Sequence, residues 1–106
     1  MPAEKAVKIS CLLNLSAGLT KAGDYDAAAQ KATAVLLIKG DCVKALYRRG
    51  VARGHLAGQL EGAKADLCCA IMRAPQDRAV RAALADVEKK IKAEADARLA
   101  LSLIHI

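Results

Sequence analysis

Asn14, Lys44 and Arg48 are the residues of this chain whose types and spacing could do chemistry. Lys44 and Arg48 stand one helical turn apart on the same face, and Asn14 precedes Arg48 by 34 residues. An amide NH2, an ammonium and a guanidinium are all donors, and both cations keep their charge at neutral pH. Brought together they would hold an acceptor, above all a carboxylate, through charge-assisted hydrogen bonds. Neither a nucleophile beside a base nor a pair of carboxylates accompanies them, so the expected role is binding, with no catalytic residue. The chain has no C-x-x-C or His pairing of the kind zinc needs, and no cofactor or metal is expected.

Three such residues act as a group only if the fold places them on one surface, and the sequence contains the device that would do so. Leu12, Leu13, Asn14 and Ser16 recur as Leu46, Tyr47, Arg48 and Gly50 at an offset of 34. After one inserted residue the offset is 35 and carries Gly23 to Gly58, Tyr25 to Leu60, Ala28 to Ala63, Ala32 to Leu67, Val35 to Ala70 and Gly40 to Pro75. A period of 34 residues is that of the tetratricopeptide repeat (TPR), a helix-turn-helix unit that stacks into a superhelix. First helices line its concave side, so Asn14, Lys44 and Arg48 should converge there.

The elements follow from the patterning. A first helix is expected from about Ala3 to Lys21, with Val7, Cys11, Leu12, Leu15 and Leu19 at helical spacing and a turn at Gly23-Asp24. A second covers about Tyr25 to Ile38, with Gly40 as a natural C-terminal cap. A third spans about Cys42 to Ala57, and a fourth about Gln59 to Ala74, closed by Pro75. A fifth starts near Asp77, which can cap it, and runs towards Arg98. The fold class is all-α: two hairpins and a long capping helix, an α-solenoid fragment. As domains, residues 3–98 form the repeat unit (repeats about 9–42 and 43–77, capping helix about 77–98). Gly50 is expected at the close contact between helices and Gly58 in a turn. Gly54 would lie inside a helix, at a cost of about 0.5–1 kcal/mol relative to Ala.

Composition bounds the function. The 106 residues make one small domain, 55% hydrophobic but without Trp or Phe. Alanine lets helices approach closely while contributing less on burial than larger side chains, so the packing should be close and the stability modest. No stretch approaches the ~18 apolar residues of a membrane span. A net charge of +6 suits an acidic partner. The scarcity of aromatics places single-stranded nucleic acid below an acidic peptide. Cys11, Cys42, Cys68 and Cys69 fall inside helical patterns and read as reduced core or surface residues of a cytoplasmic or nuclear protein.

The tail Leu101-Ser102-Leu103-Ile104-His105-Ile106 breaks the charged pattern of Lys89 to Arg98. It reverse-translates without a break into CTGTCTCTTATACACATC, the mosaic-end adapter of transposase-based sequencing libraries. Residues 101–106 are therefore expected to be a non-native, adapter-derived tail, with no role for His105.

Ser10-Cys11-Leu12-Leu13-Asn14-Leu15, Lys44-Ala45-Leu46-Tyr47-Arg48-Arg49-Gly50, Ala74-Pro75-Gln76-Asp77-Arg78-Ala79-Val80 and Lys89-Lys90-Ile91-Lys92-Ala93 resemble the C-terminal repeat domain of large immunophilin peptidyl-prolyl isomerases, of the cyclophilin or FK506-binding type. The resemblance covers about residues 7 to 98 and leans to the cyclophilin branch. It implies a co-chaperone module in which a carboxylate clamp grips the C-terminal Glu-Glu-Val-Asp of the ninety-kilodalton heat-shock chaperone. Carried over by motif, Asn14 is the middle-repeat clamp residue, and Lys44 and Arg48 are the third-repeat pair. The family's first repeat supplies another Lys and Asn, and this chain begins where that repeat should have ended. The isomerase domain is likewise outside the chain, so the chain itself is not expected to be an enzyme. The uncovered first helix would invite self-association.

Other residues take plainer readings. A Lys and an Arg one turn apart are ordinarily a solvated helix face, and only register and motif favour the clamp. Arg49 and Lys21 read as solvated rim residues, and Tyr25, Leu60, Ala28 and Ala63 as repeat packing. His55 reads as surface, and Asp24, Asp26, Glu61 and Asp66 as turn or outer-face charges. The competing functions are the non-catalytic end of a peptidyl-prolyl cis-trans isomerase and a general repeat scaffold for an unrelated protein.

Overall fold

A computed structural model describes residues 2–104, and every element among them is helical. The helices are α1 (Ala3–Lys21), α2 (Tyr25–Ile38), α3 (Val43–Arg53), α4 (Leu60–Arg73) and α5 (Arg78–Ile104). The pairs α1/α2 and α3/α4 are antiparallel hairpins, α2 packs on α3, and α5 closes the stack against α4. This is the predicted solenoid of two repeats and a capping helix.

The junctions show how local chemistry sets the geometry. Gly23 takes φ 83°, where only glycine is unstrained. Its N–H reaches Thr20 O at 3.1 Å and that of Asp24 reaches Leu19 O at 2.9 Å, the paired bonds of a Schellman motif. Asp24 at once caps α2, accepting from the Ala27 N–H at 3.3 Å. One repeat later Gly58 also takes a positive φ, 76°, at the end of a longer connection that runs from Gly54 to Gln59. Asp77 caps α5, accepting from the Val80 N–H at 3.2 Å.

The core is built from the repeated positions. Ala28, Ala32 and Val35 of α2 and their counterparts Ala63, Leu67 and Ala70 of α4 are all fully buried. Small residues let the helices close up. A Cβ on Gly50 would lie 2.6 Å from Leu67 Cγ, so glycine is required at that crossing. Its repeat partner Ser16 is also buried, and its hydroxyl donates to Ala28 O at 2.9 Å, pinning α1 to α2. The outer face of α1 is exposed, with Val7 at 62% and Leu15 at 48%.

Several expectations are corrected. α3 stops at Arg53 and not near Ala57, because Gly54 to Leu56 turn back on Gly50, Ala52 and Arg53 carbonyls. Gly54 is therefore the C-cap and not an interior soft spot. It is buried, and a Cβ there would meet Val87 Cγ2 at 3.2 Å. The Lys90 ammonium donates to Gly54 O at 3.0 Å and satisfies one of the carbonyls the helix end leaves open. α2 ends at Ile38 without a glycine cap: Lys39 itself is extended, at φ −138°, with its N–H on Val35 O at 2.8 Å. α5 runs past Arg98 to Ile104. His105 and Ile106, the end of the expected adapter-derived tail, lie outside the described residues.

Arg49 and Asp66 are not solvated charges. Asp66 is buried, and Arg49 donates to its two carboxylate oxygens through Nε at 2.9 Å and Nη2 at 2.8 Å. Arg53 adds a third bond at 3.1 Å. Arg49 also donates to Thr33 Oγ1 at 3.3 Å, so one network joins α2, α3 and α4. Asp66 shares a helix face with Ala63, Leu67 and Ala70, where an unpaired carboxylate would be costly. The pairing explains its presence there.

Candidate functional site

α1 and α3 present equivalent inner faces because they are the same element of successive repeats. Asn14, Lys44 and Arg48 accordingly meet in one cleft of ≈ 260 Å³, whose other walls are Ser10, Leu13 and Tyr47. Asn14 and Lys44 are exposed, while Arg48 is partly buried. The convergence expected from the 34-residue offset is present in the structure.

Arg48 is the most constrained of the three. Its guanidinium carbon lies 5.8 Å from the centre of the Tyr47 ring, within cation–π range. Its Nε is buried and has no hydrogen-bond partner among the described residues. A buried donor left without an acceptor costs about 1–3 kcal/mol. Among the described residues no carboxylate lines the cleft. Ser10, Leu13 and Tyr47 were not singled out from sequence, although Leu13 and Tyr47 are themselves a pair at the 34-residue offset.

A second cavity of ≈ 160 Å³ adjoins the first through Tyr47 and Arg48 and is completed by Ala17, Thr20, Lys21 and Val51. A larger depression of ≈ 470 Å³ lies elsewhere, between the α3–α4 turn and α5. Leu56, Ala57, Leu60 and Ala93 line it beside Lys90 and Glu94, whose opposite charges do not make a carboxylate site. His55, beside it, stacks on Tyr25 with ring centres 4.1 Å apart. Its pKa is lowered from 6.5, first by desolvation and then by the Lys90 ammonium. His55 is exposed, as expected, but it is held in place by the stack.

The four cysteines are free thiols: Cys42 is buried at the start of α3, Cys68 is partly buried, and Cys11 and Cys69 are exposed. Among the described residues no helix is long and apolar enough to cross a membrane.

No family model matches the chain. It is 42% identical over 89 residues to the peptidyl-prolyl cis-trans isomerase FKBP42 of Arabidopsis thaliana, covering 81% of this chain and 24% of that protein. It is 34% identical over 89 residues to outer envelope protein 61 of Arabidopsis thaliana, covering 84% of this chain and 16% of the relative. The DnaJ protein P58IPK homolog A of Oryza sativa subsp. japonica is 36% identical over 91 residues, covering 86% of this chain and 19% of the relative. The chain thus spans about a quarter or less of these relatives' length.

Among solved structures, it matches the C-terminal TPR-containing domain of a Plasmodium falciparum protein described as FK506-binding. The TM-score is 0.83 at 37% identity, covering 87% of this chain and 60% of that one. Both immunophilin matches are of the FK506-binding kind, which corrects the leaning towards the cyclophilin branch. The chain is a helical tetratricopeptide-repeat fold, similar in sequence and structure to the repeat domains of FK506-binding-type immunophilins.

Proposed function

We propose that the chain is a co-chaperone binding module that holds the acidic C-terminal peptide of a heat-shock chaperone, of the ninety-kilodalton type, in a carboxylate clamp made by Asn14, Lys44 and Arg48. The observation that carries this reading is the convergence of Asn14, Lys44 and Arg48 in one cleft that, among the described residues, no carboxylate lines. Three donors and no acceptor charge suit a ligand that brings carboxylates, and the chain's net charge of +6 favours its approach. The proposed setting is the cytoplasm. In a titration with a peptide ending in Glu-Glu-Val-Asp, Lys44→Ala and Arg48→Ala should each weaken binding by about 1.5–3 kcal/mol, the scale of hydrogen bonds to charged groups. Unchanged affinity in both variants would rule the clamp out.

A second reading takes its support from the name of the Arabidopsis relative: the repeat domain is the non-catalytic end of a peptidyl-prolyl cis-trans isomerase. It is compatible with the clamp and predicts no prolyl isomerisation by these 106 residues alone. The DnaJ and outer-envelope relatives, of different names and similar identity, favour a third, a scaffold for another protein. That scaffold would bind an acidic peptide equally well with its terminal carboxylate amidated.

A further inference from the structure

We propose that one end of the repeat stack is an edge that docks, without crossing, on an anionic lipid surface, seating Leu37 and Met72 among the headgroups inside a ring of basic side chains. Leu37 and Met72 are counterparts at the 35-residue offset, and each is the penultimate residue of its helix, α2 or α4. They are also the most exposed large apolar side chains among the described residues, at 84% and 82%. One such residue is ordinary, but equivalent positions of stacked repeats share a surface, so these two form a pair on one edge.

Positive charge is segregated to the same end. The stretches where α1, α3 and α5 begin and α2 and α4 finish, residues 3–8, 37–44 and 72–81, hold seven Lys or Arg against Glu4, Asp41 and Asp77, a net charge of +4. At the opposite end of the hairpins, residues 18–26 and 53–61 hold Lys21 and Arg53 against Asp24, Asp26 and Glu61, a net charge of −1, and the rest of α5, residues 82–104, is neutral. All seven cations are exposed, and none belongs to an ion pair among the described residues. α3 and α5 have no acid in the first turn, where Lys44, Arg78 and Arg81 stand instead. The helix dipole disfavours cations there, so helix stability does not account for them. Apolar side chains ringed by cations match an anionic bilayer interface, where aliphatic groups enter the headgroup region while Lys and Arg stay with the lipid charges. Nucleic acid would offer charge but no place for Leu37 and Met72, and this edge has no aromatic to stack on bases.

The test is co-sedimentation of the 106-residue chain with vesicles of phosphatidylcholine alone and of phosphatidylcholine with about one-third phosphatidylserine, at physiological salt. The native chain should partition onto the anionic vesicles and stay off the neutral ones. The double variant Leu37→Ser/Met72→Ser, changed only at exposed sites, should bind the anionic vesicles at least about tenfold more weakly, and Arg73→Ala and Arg78→Ala about fivefold more weakly each. Lys21→Ala, at the opposite end, should bind as the native chain does. No binding to anionic vesicles, native-like binding by the double variant, or an equal loss in Lys21→Ala would each overturn the proposal. So would tighter binding to a single-stranded oligonucleotide that the double variant retains, which would give the edge to nucleic acid.

Discussion

Replacing Asp66 by Ala removes the acceptor on which three helices converge. The Asp66 side chain is 6% exposed, against 19% for Arg49 and 28% for Arg53, so the acceptor is dry while both donors still reach water. Breaking a fully buried ion pair costs about 3–5 kcal/mol, and breaking an exposed one about 0.2–1. Here the freed guanidinium groups can rehydrate, which places the expected loss between those limits, at about 2–3 kcal/mol. For a chain of this size that is a fall in Tm of roughly 10–20 °C. The assay is urea denaturation followed by circular dichroism. Asp26→Ala is the matched control: Asp26 is exposed and accepts only a 3.4 Å bond from Gln30, so the change should stay within about 0.5 kcal/mol. A loss at Asp66 no larger than the control's would refute the claim that this network ties α2, α3 and α4 together.

Two further predictions concern packing and pH. Gly50→Ala should destabilise by about 1–2 kcal/mol, because a Cβ would stand 2.6 Å from the fully buried Leu67 and overpacking outweighs the gain in helix propensity. Gly18→Ala, with nothing within 4 Å, should stabilise by about 0.5–1 kcal/mol in the same assay. His55 has its pKa lowered from 6.5 in the folded state, so between the folded and unfolded values the unfolded chain binds more protons. Stability should therefore fall as pH drops through about 6.5, and His55→Gln should flatten that slope in melts between pH 7.5 and 5. Identical slopes in the two proteins would contradict the lowered pKa.

The repeat was legible because its signals are local and doubled. Gly23 and Gly58 each mark a positive-φ position between the helices of a hairpin, Ser16 and Gly50 the same close crossing, and Asp77 its own helix start. The convergence of Asn14 and Arg48 was legible for the same reason: once α1 and α3 are equivalent elements, the two must share a surface. The Asp66 network was not legible, since its charges match many solvated helices, and only three-helix packing decides that this carboxylate is buried. The sequence did hold one clue, the place of Asp66 on the Ala63–Leu67–Ala70 face. The early end of α3 was hidden because Gly54 is held by Val87 and Lys90 of α5, more than thirty residues away.

The most direct test of the central claim is a calorimetric titration of the native chain with one acidic peptide ending Glu-Glu-Val-Asp, prepared with a free and with an amidated C-terminus. A clamp formed by Asn14, Lys44 and Arg48 should bind the free acid at least about tenfold more tightly, one charge-assisted contact being about 1.4 kcal/mol or more. Equal affinity for the two forms would contradict it and leave the groove to a partner recognised in some other way.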